Sequence, residues 1–379
     1  MAVRATARGS ERTDLGGTEV DVLICGASFA GLAVARELAN SAARVLVVDR
    51  YEIGERATSA CAAPTPWLLA LGLERSIRQE IPAMSFATPH GRWRYPLPWS
   101  WSSFDYRQLC QELWRQCGQA RFETAKVESL VEGGVKTDRG IIRAGVIVDA
   151  LGWRRVLDRE GYQPPDAPLS RGLEVHPHDD RGEDLDIWID RSLVGRGYGW
   201  SVPAGGERRV GIGSYLPRDH VREPVVELAS RLDCDAVNYQ GNWFPHRLRD
   251  ATGDQVFFVG DSAGHCVPLS GEGIRPAFYF GIACGREIRA VLAGKQPLAE
   301  ALVKYRDFSS SHSRFYSLTL LLQQLLPALP PRVLSAFLSV MSRPWVVRRA
   351  FGWYLNQASP SFADAGSASE IQQPVAAGV

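Results

Sequence analysis

At 379 residues the chain exceeds one simple core and implies two closely packed lobes. Its 45% hydrophobic and 22% charged residues are an ordinary soluble globular composition, and a formal net charge of +1 gives no basis for a nucleic-acid partner or a polybasic anchor. The 7 cysteines are scattered without a CxxC pair, so neither a zinc site nor a disulfide framework is supported, and reduced thiols in a cytoplasm are expected.

Residues 1–18 are polar, lack the apolar core of a signal peptide and are expected to be disordered. Val22, Leu23 and Ile24 then read as a buried strand that stops at Gly26. The turn Gly26-Ala-Ser-Phe-Ala-Gly31 leads into a helix ending near Asn40, and a second apolar run, Val45 to Val48, finishes on Asp49. Strand, tight turn, helix and strand make the unit that sets a pyrophosphate on a helix N-terminus and a carboxylate on a ribose. Gly26 permits the turn, Gly31 brings helix and strand close, and Asp49 accepts from the ribose hydroxyls. The second glycine of the fingerprint is Ser28, so a small side chain stands where the backbone approaches the pyrophosphate.

A loop of small residues and prolines around Cys61 precedes a helix from Trp67 to about Leu73. Met84 to Thr88 and Arg92 to Pro96 alternate like a strand pair turning at His90-Gly91, and a Trp-rich stretch follows to Phe104. Tyr106 opens an amphipathic helix. Short strands then run to Val146-Ile-Val-Asp149-Ala-Leu-Gly152, another buried strand ending in a glycine turn. From Arg171 to Leu216 the pattern predicts antiparallel strands throughout. Gln255 to Asp261 is a strand closing on a Gly-Asp turn, after which Gly271 and Gly273 open a helix whose free N–H groups suit an anion. The last third is helical: Leu318 to Leu326 is apolar, prolines 327, 330 and 331 break it, and Val333, Leu334, Phe337, Leu338 and Met341 form a stripe. No apolar run approaches the roughly 20 residues of a membrane span. Residues 359–379 are expected to be a disordered tail.

The two glycine turns at Gly26 and Gly260 lie far apart in sequence. An interrupted nucleotide-binding domain would join them around one elongated ligand, with the antiparallel insertion over its far end. FAD suits that arrangement, needing one site for its pyrophosphate and another for its ribityl and isoalloxazine. The expected fold is α/β: a Rossmann-like FAD-binding domain (residues 19–75, 103–168 and 246–305), interleaved with an antiparallel β-sheet substrate domain (76–102 and 169–245), plus C-terminal helices (306–358).

GDSAGHCVPLSGEGIRPA resembles the second FAD motif of the geranylgeranyl reductase family, within the p-hydroxybenzoate-hydroxylase-like FAD-dependent oxidoreductases. Gly260, Asp261, Gly264, Pro268, Gly271, Glu272, Gly273 and Ile274 match that pattern, and Ser262 replaces an alanine. GYGWSVPAGGERRVGIG is similar to the family's YxWxFP segment, with Val202 where Phe is usual. Asp105-Tyr-Arg107 resembles the helix start whose arginine reaches the FAD, and Asp149-Ala-Leu-Gly152 its middle element. The resemblance covers about residues 20–300. It implies a cofactor-binding set of Gly26, Ser28, Ala30, Gly31, Asp49, Arg50, Arg107, Val127, Gly152, Gly260, Asp261, Pro268, Gly271, Gly273 and Ile274. Asp261 would bond the ribityl chain, the N–H groups of Gly273 and Ile274 would face the flavin's pyrimidine edge, and Tyr198 and Trp200 would line the substrate cavity. Cys61 matches a cysteine near the flavin, although its usual glycine neighbours are Ala62 and Ala63. His265 stands one place beyond the histidine of the hydroxylase branch, which points to a structural role.

The function implied is reduction of C=C bonds in a prenyl or other apolar substrate by hydride from reduced flavin, with NADPH or a ferredoxin-like carrier as transient donor. The alternative is a monooxygenase of the same fold. Halogenation ranks lower, because no lysine precedes Lys126. A non-enzymatic flavin- or lipid-binding protein is a third class. The substrate is expected to be an apolar small molecule or lipid, with peripheral membrane contact through the C-terminal helices as a further expectation; no metal site is read.

Overall fold

The computed structural model describes residues 13–57, 59–158 and 167–364. The chain opens with β1 (Thr18–Cys25), α1 (Phe29–Glu37) and β2 (Val45–Asp49), then β3 (Ala62–Pro64) and α2 (Thr65–Ala70). A long hairpin of β4 (Ile77–Thr88) and β5 (Gly91–Phe104) precedes α3 (Tyr106–Arg115), β6 (Arg121–Thr124), β7 (Val127–Val131), β8 (Gly134–Thr137) and β9 (Gly140–Asp149). Next come β10 (Leu169–Val175), β11 (Leu185–Trp188), β12 (Gly197–Pro203), β13 (Arg208–Ser214), α4 (Arg222–Arg231) and β14 (Gln240–Pro245). The short β15 (Val256–Phe258) leads to α5 (Ile274–Leu292), followed by α6 (Leu298–Ser310), α7 (Ser313–Leu325), α8 (Pro331–Met341), α9 (Pro344–Asn356) and α10 (Ser361–Asp364).

Two sheets divide these strands. The first has 7 strands in the order β6-β2-β1-β9-β8-β7, with β15 also paired to β9. Its centre is parallel and apolar on both faces, so Val22, Leu23, Ile24, Val47 and Val48 are fully enclosed. Helix α1 carries small residues, which let it lie directly on α5: a Cβ on Gly281 would sit 2.8 Å from the Ala30 carbonyl oxygen. The second sheet has 8 strands, β14-β10-β13-β12-β11-β4-β5-β3.

Several expectations change. Within residues 171–216 every pairing is antiparallel as expected, but the second sheet also holds one parallel pair, where β11 lies beside β4 of the hairpin. Its hairpin is longer than the alternation around His90 suggested. Pro82 sits in a register break between Ile81 and Ala83, and Pro96 and Pro98 lie where β5 has no strand on its outer side, so prolines that read as strand ends are tolerated. Residues 62–64, grouped with the nucleotide-binding lobe, pair with β5 in the other sheet. Gly145 does not divide two strands but lies within one continuous β9.

Residues 13–18 are not disordered. Leu15 is buried, and Arg139 donates to the Thr13 carbonyl (2.9 Å) and hydroxyl (2.9 Å). At the other end, α10 (Ser361–Asp364) packs down within the expected tail, with Phe362 stacked on Phe308 at 5.7 Å. A polar sequence hid both, because single apolar anchors rather than periodicity hold them. The expectations for residues 1–12 and 365–379 lie outside the described residues.

Candidate functional site

Register brings the distant motifs together. Strand β1 pairs Cys25 with Asp149 of β9, and β9 pairs Asp149 with Phe258 of β15, so the turns after all three strands open on one sheet edge. Gly26 takes φ +113°, and a Cβ there would lie 2.3 Å from the Ala150 carbonyl oxygen. At Gly31 a Cβ would stand only 1.9 Å from the Gly26 carbonyl oxygen, which is the close helix–strand approach the fingerprint requires. Ser28 occupies the N-cap of α1 in extended conformation without capping it, and its hydroxyl accepts from Tyr106 Oη at 3.0 Å. The first turn of α1 carries no acid, so its N–H groups remain a positive end suited to a phosphate. Ala30 faces the second motif: a Cβ on Gly260 would touch its own at 3.0 Å.

Asp49 ties this cradle to β2. Its Oδ2 accepts from Ala27 N (2.8 Å) and its Oδ1 from Tyr51 N (3.0 Å), while burial pushes its carboxyl above the usual range. Two carboxylate oxygens offer about four lone-pair sites, so capacity remains for a ribose hydroxyl. Arg107 is exposed at the start of α3, whose N-cap Asp105 accepts from Gln108 N at 2.9 Å. Gly54 lies against the Arg107 backbone, where a Cβ would approach Cα to 2.7 Å. Arg50 is also exposed, with its guanidinium 5.0 Å from the Tyr51 ring, whereas Val127 is buried at the head of β7.

The second motif begins at Gly260 (φ +60°). Among the described residues no hydrogen bond reaches the Asp261 carboxylate, and burial raises it to about 6. A half-buried acid left without donors, next to the first residues of α5, fits a ligand that brings hydroxyl groups. Ribityl hydroxyls meet that need, and with the glycine cradle they make the residues present a match for FAD. Helix α5 starts behind Gly273 with no side-chain cap and no acid in its first turn.

Ser262, the departure from the family pattern, bolts the motifs together. Its hydroxyl donates to Asp149 Oδ1 at 2.7 Å and also lies 3.0 Å from the Gly152 carbonyl oxygen. Asp149 is wholly enclosed and further accepts from Leu151 N and Leu157 N, both at 2.9 Å. Ser262→Ala is expected to cost about 1–2 kcal/mol, because the buried carboxylate keeps two of its three donors; urea denaturation of the apo protein checks it.

His265 has the structural role expected. It is fully buried, stacks on Phe280 at 3.7 Å and pairs with Ser309 Oγ at 2.9 Å. The loop after it is held from the C-terminal side, since Gln323 of α7 donates to the Pro268 carbonyl at 2.7 Å. Glu272 forms a two-pronged pair with Arg275, both contacts 2.7 Å, and accepts from Tyr354 Oη at 2.6 Å. Arg275 in turn donates to the Leu355 carbonyl at 2.7 Å, so α9 is clasped onto the glycine loop.

On the second sheet Tyr198 donates its hydroxyl to the Ser270 carbonyl and abuts Gly271, where a Cβ would lie 3.0 Å from its oxygen. Trp200 turns away from that turn. Its indole covers Gly211 and its Nε1 donates to Glu174 Oε2 at 3.1 Å. Cys61 takes φ +51°, its Sγ donates to the Ser59 carbonyl at 3.0 Å, and burial pushes its thiol up to about 12. Arg209 pins that loop by donating to the carbonyls of Ala60 (2.8 Å), Cys61 (3.0 Å) and Phe104 (3.1 Å). Gln240 bridges Ser59 O (2.9 Å) and Glu174 Oε1 (2.8 Å), which links the Cys61 loop to Trp200.

Sequence reasoning missed Arg209, Glu174, Gln240, Arg275 and Tyr354. Arg209 and Glu174 sit at strand positions whose neighbours face inward, a parity signal that a buried charge breaks. Arg275 and Tyr354 meet across 79 residues and left none.

No family model matches the chain. It is 23% identical over 332 residues to digeranylgeranylglycerophospholipid reductase 3 of Methanosphaera stadtmanae, covering 78% of this chain and 83% of that one. A geranylgeranyl bacteriochlorophyll reductase-like protein from Thermoplasma acidophilum superposes with TM-score 0.77 at 18% identity, over 92% of this chain and 98% of that one. PqsL of Pseudomonas aeruginosa, a probable FAD-dependent monooxygenase, superposes with TM-score 0.64 at 15% identity, over 85% and 100%. Fold, paired motifs and relatives define an FAD-dependent oxidoreductase. Within that class the chain is similar to the geranylgeranyl reductase family.

Proposed function

We propose that the protein saturates C=C bonds of a prenyl or similar apolar substrate, with NADPH or a ferredoxin-like carrier as the electron source. The observation that carries this reading is the extended similarity to a digeranylgeranylglycerophospholipid reductase, 83% of whose length is matched. Bound and reduced, FAD would supply the hydride to one alkene carbon, leaving the other carbon to take a proton. The α1 cradle, Asp261 and the start of α5 would hold and orient the cofactor, and Tyr198, bonded to the Ser270 carbonyl beside Gly271, would close the substrate side. Cys61, whose thiol proton is held on the Ser59 carbonyl at 3.0 Å, is the group that would deliver this proton to the second carbon. Arg209 positions it through the loop carbonyls.

The superposition on PqsL favours hydroxylation as the second reading. Anaerobic reduction with dithionite, followed by mass analysis of a prenyl-lipid substrate, separates them. A gain of two hydrogens without O2 supports the proposal; a gain of one oxygen that requires O2 overturns it. Cys61→Ala is expected to lower turnover at least ten-fold while FAD affinity stays unchanged. Equal turnover would remove Cys61 from the reaction.

A further inference from the structure

The C-terminal helices bury one apolar side and leave a second apolar side outward, more than a protein surrounded by water needs to expose. On α7 the inward residues include Thr319 and Gln323, whereas Leu318, Leu321 and Leu325 face out, the last 51% exposed. This orientation has a local cause. Gln323 is drawn inward to the Pro268 carbonyl, and Thr319 satisfies its hydroxyl on the Phe315 carbonyl at 3.0 Å. On α8, Leu334 and Leu338 pack beneath, against Tyr95, and leave Val333, Phe337 and Val340 as a second exposed apolar stripe at helical spacing. On α9, Trp345 (62% exposed) and Trp353 (42%) stand on the outer side. These side chains keep 39–62% of their surface open, Trp353 resting edge-on against Phe315 at 5.6 Å.

Charge selects the occupant. Between Asp307 and Asp364 there is no acidic residue, and the five charged side chains are arginines 314, 332, 343, 348 and 349, all exposed. A second copy of the chain would bring the same cations against them, an arrangement that like-charge repulsion disfavours. Anionic lipid headgroups would complement them, with the leucine, valine and phenylalanine stripes at the headgroup–acyl boundary and tryptophans suited to that depth. No described helix is long and apolar enough to cross a membrane, so contact would be confined to one leaflet.

We infer that α7, α8 and α9 form a docking face for an anionic lipid bilayer. The inference deepens the proposed function by placing the protein where an apolar substrate resides, yet it is read without turnover, so either can fail alone. Because Gln323 and Tyr354 also hold the flavin loop, the docked helices and the cofactor loop share one support.

The test is co-sedimentation of the full chain with vesicles of phosphatidylcholine alone or with phosphatidylglycerol added. Binding is expected to the anionic vesicles and to weaken with salt. The triple variant Leu321→Gln, Phe337→Gln, Trp345→Ala should bind at least ten-fold less while its thermal melt and FAD absorbance stay unchanged. Arg348→Ala with Arg349→Ala should lose the preference for anionic lipid. Absence of vesicle binding, undiminished binding by the triple variant, or a dimer in light scattering that the triple variant abolishes would each overturn the inference.

Discussion

Replacing Asp261 by alanine is expected to weaken FAD binding roughly ten- to a hundred-fold, the loss of hydrogen bonds to a charged acceptor worth about 1.5–3 kcal/mol. The pH dependence is as informative as the size. In the apo protein the Asp261 carboxyl lies at about 6, against an ordinary 3.8, because burial disfavours its charge and no described donor offsets it. Its contribution to apo stability is therefore full below about pH 4 and fades as pH rises through 6, by at most about 3 kcal/mol. Ribityl hydroxyls favour the ionised form, so FAD affinity should rise between about pH 5 and 7. Asp261→Asn should melt above the wild-type apo protein at about pH 8, converge with it near pH 4, and show no such rise in affinity. Fluorescence titration of FAD across that range checks this; a flat wild-type profile would remove Asp261 from the site.

Arg275→Ala should be the most damaging single change outside the cradle. Its side chain is 1% exposed and its partner Glu272 is 8% exposed, so truncation strands a buried carboxylate whose remaining donor is Tyr354. Breaking such a pair from one side costs about 3–5 kcal/mol, enough to leave much of a marginal domain unfolded. Tyr354→Phe removes one donor and should cost about 1–2 kcal/mol. The double change Glu272→Gln with Arg275→Met removes both charges and should recover much of the loss. If urea midpoints place Arg275→Ala within 1 kcal/mol of wild type, the clasp contributes nothing.

The nucleotide-binding half was legible because its signals are local: an apolar strand, a glycine turn and an acid at the next strand end lie within residues 22–49. The meeting of Gly26 with Gly260 was also foreseeable, since both turns follow buried parallel-type strands. The Cys61 loop shows where sequence reading stops. Its left-handed backbone and its arginine pin depend on Arg209, 148 residues away, and no periodicity encodes that contact. The exposed leucines of α7 were hidden for a related reason. A run such as Leu320-Leu-Leu322 is apolar all round, and its inward side is set by Phe315, Tyr316, Thr319 and by Gln323, captured by the Pro268 carbonyl.

The three-strand edge has a consequence for how the protein comes into being. Cys25, Asp149 and Phe258 become neighbours only after most of the polypeptide has left the ribosome, and the brace from Tyr354 arrives later still. Sequence separations of that order make folding slow and leave early segments waiting, sheet edge bare, during synthesis. A C-terminal truncation before Tyr354 should therefore deplete the cell of protein rather than leave a smaller working enzyme.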